Sequence, residues 1–253
     1  MRTFYEEIDN TGIKLTYSYN TYPSHFHKNI EILYVLKGEL HVYINGDNYI
    51  ANEGQFVFID TNDIHMITSS KEYLTFLISP EYLSAYNEHK KNKTILNKLI
   101  NDVDNFYYDI ILKIYQNKSE NFLYVYGLIN ELLGKILSTN ELVSKKTKHI
   151  EYLRDIFEYV NNNYTENISL DFLSKKFGFN KCYLSTAFKT YFHCGFNDYL
   201  TNLRLNSFIK LVSNEEKPIT QALYDSGFTS SQTFYRVFKK AYGKSPMEYF
   251  KEK

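Results

Sequence analysis

Early in the chain apolar residues alternate with polar ones; later they recur at threes and fours. Leu40, Val42 and Ile44 alternate with His41 and Tyr43, and Asn45-Gly46 follows at once. Alternation marks a strand with one buried face, and an Asn-Gly pair behind it predicts a type I′ hairpin, because both turn residues need positive φ. Gln55 to Ile59 and Tyr73 to Ile78 are further short apolar runs. Residues 11–79 therefore predict many short strands separated by turn residues, as in a sandwich or barrel.

The period changes after Pro80. Residues 81–138 hold little Gly or Pro; Leu96, Leu99, Val103 and Phe106 fit one helical stripe, and Val125, Leu128, Leu132 and Ile136 another. The second stripe is wholly aliphatic and suits packing on the barrel or on a second subunit; its spacing does not choose between them. Residues 139–148 are polar and charged, with Lys145, Lys146 and Lys148, and read as a linker. From 149 to 253 the pattern is helical throughout, broken at 161–165, Gly178, Gly195, 214–218, Gly227 and Gly243.

One pattern occurs twice in that last stretch. Gly178-Phe179 precedes Leu184, Ala187 and Phe188; Gly227-Phe228 precedes Phe234, Val237 and Phe238. Lys189 and Tyr199 recur as Lys239 and Tyr249 at an offset of 50, while the Gly-Phe pair recurs at 49, so the second copy has one extra residue in its turn. Each copy predicts helix, tight turn, helix. Ser169 can cap the first helix of the first copy, and Asn180 the second. Leu184, Ala187, Phe188 and Tyr191 then form one buried face, as do Phe234, Val237, Phe238 and Ala241. The opposite faces carry Lys181, Cys182, Ser185, Thr186 and Lys189 in one copy, and Ser231, Gln232, Tyr235, Arg236 and Lys239 in the other.

Such faces suit double-stranded DNA. Arg pairs bidentately with guanine and Gln with adenine, so Lys181, Cys182, Ser185, Thr186, Ser231, Gln232, Tyr235 and Arg236 are the candidate base readers. Asn180, Lys189, Ser230, Lys239 and Lys240 are the candidates for phosphate, which positions a protein without carrying sequence information. Charge agrees. The 253 residues carry 29 basic and 29 acidic side chains, yet residues 145–253 hold 17 Lys and Arg against 11 Asp and Glu, and residues 1–144 hold 12 against 18. A basic half beside an acidic half suits one domain that binds nucleic acid and one that avoids it. Cys182 and Cys194 form neither a metal motif nor a disulfide framework. Met1 to Asn10 has no apolar signal core and no apolar run approaches a membrane span, so the chain reads as cytosolic with no membrane partner.

From about residue 150 to 253 the chain resembles the AraC/XylS family of transcription regulators. The resemblance rests on Gly227-Phe228-Thr229-Ser230, on Phe234-Tyr235-Arg236-Val237-Phe238-Lys239-Lys240, and on Gly243, Ser245-Pro246 and Tyr249. Tyr199-Leu200 and Leu203-Arg204-Leu205 match the long helix that joins the family's two units. The resemblance implies two recognition helices in successive major grooves on one DNA face, roughly 34 Å apart. Four positions depart from the family. Leu223 replaces a small residue, which leaves room for a more open packing of the second helix pair; His193 replaces a Gly, Phe250 a terminal Arg, and Thr186 a base-reading Arg.

His25-Phe26-His27, three residues, Glu31, six residues, then Gly38 has the spacing of the first cupin motif, and Gly54 followed by His65 resembles the second. In metal-binding cupins the positions matching His25, His27, Glu31 and His65 are the ligands, a set that suits a divalent transition metal. The alternative is a hydrogen-bonded polar patch. Regulators of this family use such barrels for sensing, so the expectation is an effector pocket drawn from His25, His27, Glu31, Tyr34, His41, Tyr43 and His65, with no cofactor, no metal and no catalysis. The competing reading is a metal-dependent cupin enzyme with a DNA-binding appendage. The whole chain is thus expected to be α+β and multidomain: a cupin-like β-barrel over 1–80, a helical packing or dimerisation segment over 81–138, the linker, and an all-α double helix-turn-helix domain over 149–253. Besides DNA, the implied partners are a small-molecule effector, RNA polymerase and a second copy of the chain.

Overall fold

The computed structural model describes residues 12–19, 21–69, 71–91, 93–144, 148–213 and 215–251. The expectations for Met1–Asn10, for Lys145 and Lys146 of the linker, and for Asn214 lie outside the described residues. The chain forms two compact units, one ending at Lys148 and one beginning at His149.

The first unit opens with strands β1 (Ile13–Ser18), β2 (Tyr22–His25), β3 (Ile30–Lys37), β4 (Glu39–Ile44), β5 (Asp47–Asn52), β6 (Gln55–Ile59), β7 (His65–Ser69) and β8 (Glu72–Ile78). Helix α1 (Ser84–Lys90), strands β9 (Lys93–Ile95) and β10 (Leu99–Asn101), helices α2 (Phe106–Gln116) and α3 (Phe122–Ser138), and strand β11 (Leu142–Ser144) follow. The sheets are antiparallel, in the orders β1-β8-β3-β6-β10 and β2-β7-β4-β5, with β11 and β9 as a separate pair. Asn45 (φ 52°) and Gly46 (φ 93°) make the hairpin between β4 and β5, with Ile44 opposite Asp47.

Pattern and burial correspond strand by strand. In β4 the alternation is real: Leu40, Val42 and Ile44 point inward and meet Leu33, Val35, Ala51, Val57, Ile59, Ile67 and Tyr73 between the sheets. Strands β3 and β6 are almost continuously apolar because both of their faces are covered. Their other face, with Ile32, Tyr34, Phe56 and Phe58, packs with Ile111, Ile114, Val125, Leu128, Leu132 and Ile136 of α2 and α3. The aliphatic stripe of α3 is therefore the core of its own unit; Leu132 and Ile136 are fully buried there, and the stripe is not a subunit interface.

Two expectations need correction. Leu96, Leu99, Val103 and Phe106 do not form a helical stripe: Leu96 and Val103 are exposed, Leu99 lies in β10, and Phe106 starts α2. Polar side chains break the run locally. Asn97 Oδ1 accepts from Leu99 N, and both Asp102 carboxylate oxygens accept from Tyr107 N and Tyr108 N at the head of α2. Nor is 139–148 wholly a linker, because Leu142–Ser144 pairs with β9 and places its residues in the first unit.

The second unit is helical: α4 (Lys148–Asn162), α5 (Leu170–Phe177), α6 (Lys181–Phe192), α7 (Phe196–Ser213), α8 (Ile219–Asp225), α9 (Ser231–Tyr242) and α10 (Pro246–Lys251). Ser169, Asn180 and Ser230 cap α5, α6 and α9 through their side-chain oxygens. Phe208, Ala222, Leu223, Phe228, Phe234 and Phe238 make one core. Leu223 is only 2% exposed, so the bulk at that position fills this core and the helix pair is closed. His193 ends α6 in the left-handed conformation (φ 53°), the role a glycine would fill.

Candidate DNA-reading helices and a buried histidine cluster

Helices α6 and α9 are twelve residues each and present the same division of faces. Leu184, Ala187, Phe188, Phe234 and Phe238 are buried, with Tyr191, Val237 and Ala241 half-buried beside them. Lys181, Cys182, Thr186 and Lys189 are exposed on α6, and Ser185 is half-buried. Ser231, Gln232, Tyr235, Arg236, Lys239 and Lys240 are exposed on α9. Asn180 and Ser230, both exposed, also serve as caps: Asn180 Oδ1 accepts from Cys182 N at 2.7 Å, and Ser230 Oγ from Thr233 N at 3.4 Å. Their amide and hydroxyl protons are left for an outside acceptor. Lys181 Nζ lies 2.7 Å from Asp171 Oδ2 across the surface, an ion pair that solvent weakens.

In the first unit, strand parity and pairing bring His25, Glu31 and His65 together, and His27 joins them from the loop between β2 and β3. His25 sits opposite His65 across β2 and β7, and Glu31 projects from β3 on the side of Leu33 and Val35. All four of His25, His27, Glu31 and His65 are buried, and their donor atoms lie within 4.8 Å of one another. His27 Nε2 is 2.9 Å from Glu31 Oε2 and hydrogen-bonds it. His65 Nε2 is 3.1 Å from the same oxygen but lacks the alignment of a hydrogen bond. Burial opposes the charge on Glu31, yet the two imidazoles outweigh it and hold the carboxyl far below its usual range. Burial likewise pulls His65 down, and the Glu31 carboxylate more than reverses this. The remaining ring nitrogens face backbone: His27 Nδ1 is 3.2 Å from Asn29 O and His65 Nδ1 is 2.8 Å from Asp63 O. Those contacts turn both Nε2 atoms into the cluster. Three nitrogens and a carboxylate, so oriented, fit a divalent transition metal.

The other pocket candidates are elsewhere. Tyr34 lies on the outer face of its sheet against Phe56 and Tyr108, where burial and then Asp102 push its phenol well up. His41 and Tyr43 alternate with the inward residues of β4 and so face away from the interior. Conversely, the loop after β6 holds a buried ionic pair of pairs that residue types do not announce. Lys90 Nζ meets both oxygens of Asp60 at 2.6 and 2.7 Å, and Lys98 Nζ meets Asp63 Oδ2 at 2.8 Å. Burial disfavours the Lys98 ammonium, but Asp63 and Asp60 raise its pKa overall. Asn62 N also donates to His27 O, so one loop ties the histidines to these lysines.

A helix-turn-helix domain family matches residues 173–252, and a cupin domain family matches residues 18–78. The regulatory protein SoxS of Escherichia coli K12 is 30% identical over 101 residues, 40% of this chain and 94% of SoxS. The chain belongs to the AraC/XylS family of transcription regulators. An uncharacterised helix-turn-helix regulator of the same organism, YdiP, is 23% identical over 246 residues, 89% of this chain and 80% of YdiP. ToxT of Vibrio cholerae shares the fold, with a TM-score of 0.55 at 15% identity over 94% of this chain and 98% of ToxT. The regulator therefore joins a cupin-like N-terminal domain to a helical DNA-binding domain. Among its described residues no helix is long and apolar enough to cross a membrane.

Proposed function

We propose that α6 and α9 enter successive major grooves of its DNA site. Lys181, Cys182, Ser185 and Thr186 would read bases in one groove, and Ser231, Gln232, Tyr235 and Arg236 in the next. Asn180, Lys189, Ser230, Lys239 and Lys240 hold phosphates. The observation that carries this reading is the repeated division of faces, with Arg236 and Gln232 exposed opposite the buried Phe234 and Phe238. Arg236→Ala should cost about 1–3 kcal/mol on the selected site and relax preference at one base pair, while Lys239→Ala weakens all sequences evenly. Electrophoretic titration against single-base variants of the site measures both. Unchanged affinity and preference in Arg236→Ala would remove α9 from the groove.

The histidine end of the barrel is, in this proposal, a regulatory pocket for a small polar effector and not a site of turnover. His65 Nε2 is buried in the cluster without an aligned hydrogen-bond partner, 3.1 Å from Glu31 Oε2, which favours a polar guest. Were a metal held by His25, His27, Glu31 and His65, it would supply a fixed positive charge for an anionic effector. An effector acts by binding unequally to arrangements that differ in DNA affinity. The regulator works in the cytoplasm as a homodimer that meets RNA polymerase. With the aliphatic stripe of α3 committed to its own core, the dimer contact falls on the exposed Phe122, Leu123 and Tyr124.

A further inference from the structure

The two helix-turn-helix units are joined by more than the long helix α7. Three side chains of α7 reach back to α4 and the loop that follows it. Tyr199 Oη accepts from Asn161 Nδ2 of α4 at 2.8 Å, in a buried contact. Ser207 Oγ accepts from Tyr164 Oη at 2.9 Å. Between them Arg204 donates from Nε to Tyr164 O and from Nη2 to Glu166 O, both at 2.7 Å. The guanidinium thus clamps the loop between α4 and α5. The turn of the second helix-turn-helix meets the same loop beside Arg204. Gly227, in the turn between α8 and α9, has φ +90°, and a Cβ there would lie 2.6 Å from Thr165 Cα and 3.1 Å from both Thr165 O and Arg204 Nε. No side chain fits in that gap, and a backbone neighbour cannot give way as a flexible side chain would.

We propose that Arg204 and Gly227 are positioning residues that lock the two reading helices at one separation and angle, and so make the regulator select the spacing between its two half-sequences. A single connecting helix leaves bending and twisting open. A second contact, between the loop of one unit and the turn of the other, removes that freedom. Duplex DNA turns this rigidity into selectivity. Inserting one base pair moves the second half-sequence by about 3.4 Å and by roughly a tenth of a turn around the axis. A locked pair of helices cannot follow that shift, whereas a hinged pair can. The inference rests on the reading that α6 and α9 occupy successive grooves.

The test uses the full chain. Wild-type protein selects a duplex from a random-sequence pool, footprinting locates the two half-sequences, and duplexes with one or two base pairs added or removed between them are titrated. Wild type should bind the native spacing at least about tenfold better than a one-base-pair insertion, a difference of about 1.4 kcal/mol. Arg204→Gln should shrink that ratio to about threefold or less, and Gly227→Ala should shrink it likewise. Arg204→Lys, which keeps the charge but lacks the rigid planar fork of donors, should fall between. A second readout needs no DNA: spin labels on Cys182 and on Thr233→Cys, in a Cys194→Ser background, should give a narrow distance distribution that broadens with Arg204→Gln. Variants that keep the wild-type ratio and a narrow distribution overturn the proposal, as does an equal loss of affinity at every spacing. Loss of the thermal transition in Arg204→Gln also overturns it, since the residue would then be scaffold. If wild type itself ignores spacing, the two-groove reading fails instead.

Discussion

A buried carboxylate persists only where its partners outweigh the cost of leaving water. Glu31 meets that condition within its own strand network, through His27 at 2.9 Å and His65 at 3.1 Å. The set His25, His27, Glu31 and His65 was legible in the sequence through its resemblance to the cupin motifs, not through strand period, since His25, Glu31 and His65 lie on three different strands and His27 on none. The faces of Tyr34, His41 and Tyr43 were not legible, since a slip of one residue turns a side chain from the interior to the outside. Lys90 and Lys98 were missed for a different reason: lysine is seldom buried unless paired, and Asp60 and Asp63 lie far from both in sequence. The sensing reading makes a prediction at this scale. Protein purified without an affinity tag or chelator should show no turnover in a screen of small carbonyl and carboxylate substrates, whatever its metal content by elemental analysis. A near-stoichiometric transition metal, lost on His27→Ala together with turnover of one substrate, would make the chain an enzyme.

Elements were read best where a cap or turn agreed with the apolar period. Asn45-Gly46 and the caps Ser169 and Asn180 each name an element end through one backbone requirement, and the structure puts ends there. The stripe expected from Leu96 to Phe106 failed because a few residues at threes and fours do not make a helix when Asn97 and Asp102 offer the backbone other partners. The last helix shows the same chemistry working for the fold. Ser245 and Glu248 form a capping box on α10: Glu248 Oε2 accepts from Ser245 N at 2.8 Å and from Ser245 Oγ at 2.7 Å. These bonds hold the Glu248 carboxyl below its ordinary value. A depressed carboxylate contributes stability that is present above its unfolded pKa, near 4.5, and is lost as pH falls through the lower folded value. Acid titration of the DNA-binding unit by circular dichroism should therefore show a helical loss below pH of about 4.5 that is smaller in Glu248→Gln. Identical acid limbs in both proteins would mean that the box is not maintained in solution.

At the scale of the whole molecule the two halves carry opposite charge, 17 basic against 11 acidic residues from 145 onward and 12 against 18 before. That division was legible from composition, and it bears on how the regulator meets DNA. Lys189, Lys239 and Lys240 are the three cations assigned to phosphates, all exposed on or at the end of a reading helix. Each cation that neutralises a phosphate releases condensed counterion, so the logarithm of the binding constant should fall against the logarithm of salt with a slope of about −3. Lys239→Ala should bring that slope down by about one unit, while Arg236→Ala, if it reads a base edge, should leave it nearly unchanged. The acidic half acts differently. It repels phosphate at a distance, so it should slow association most at low salt and leave the number of released counterions alone. Stopped-flow measurements over a salt series separate the two effects. A slope near zero would mean that these lysines do not meet the backbone. A slope unaltered by Lys239→Ala but reduced by Arg236→Ala would exchange the roles of the two side chains on α9.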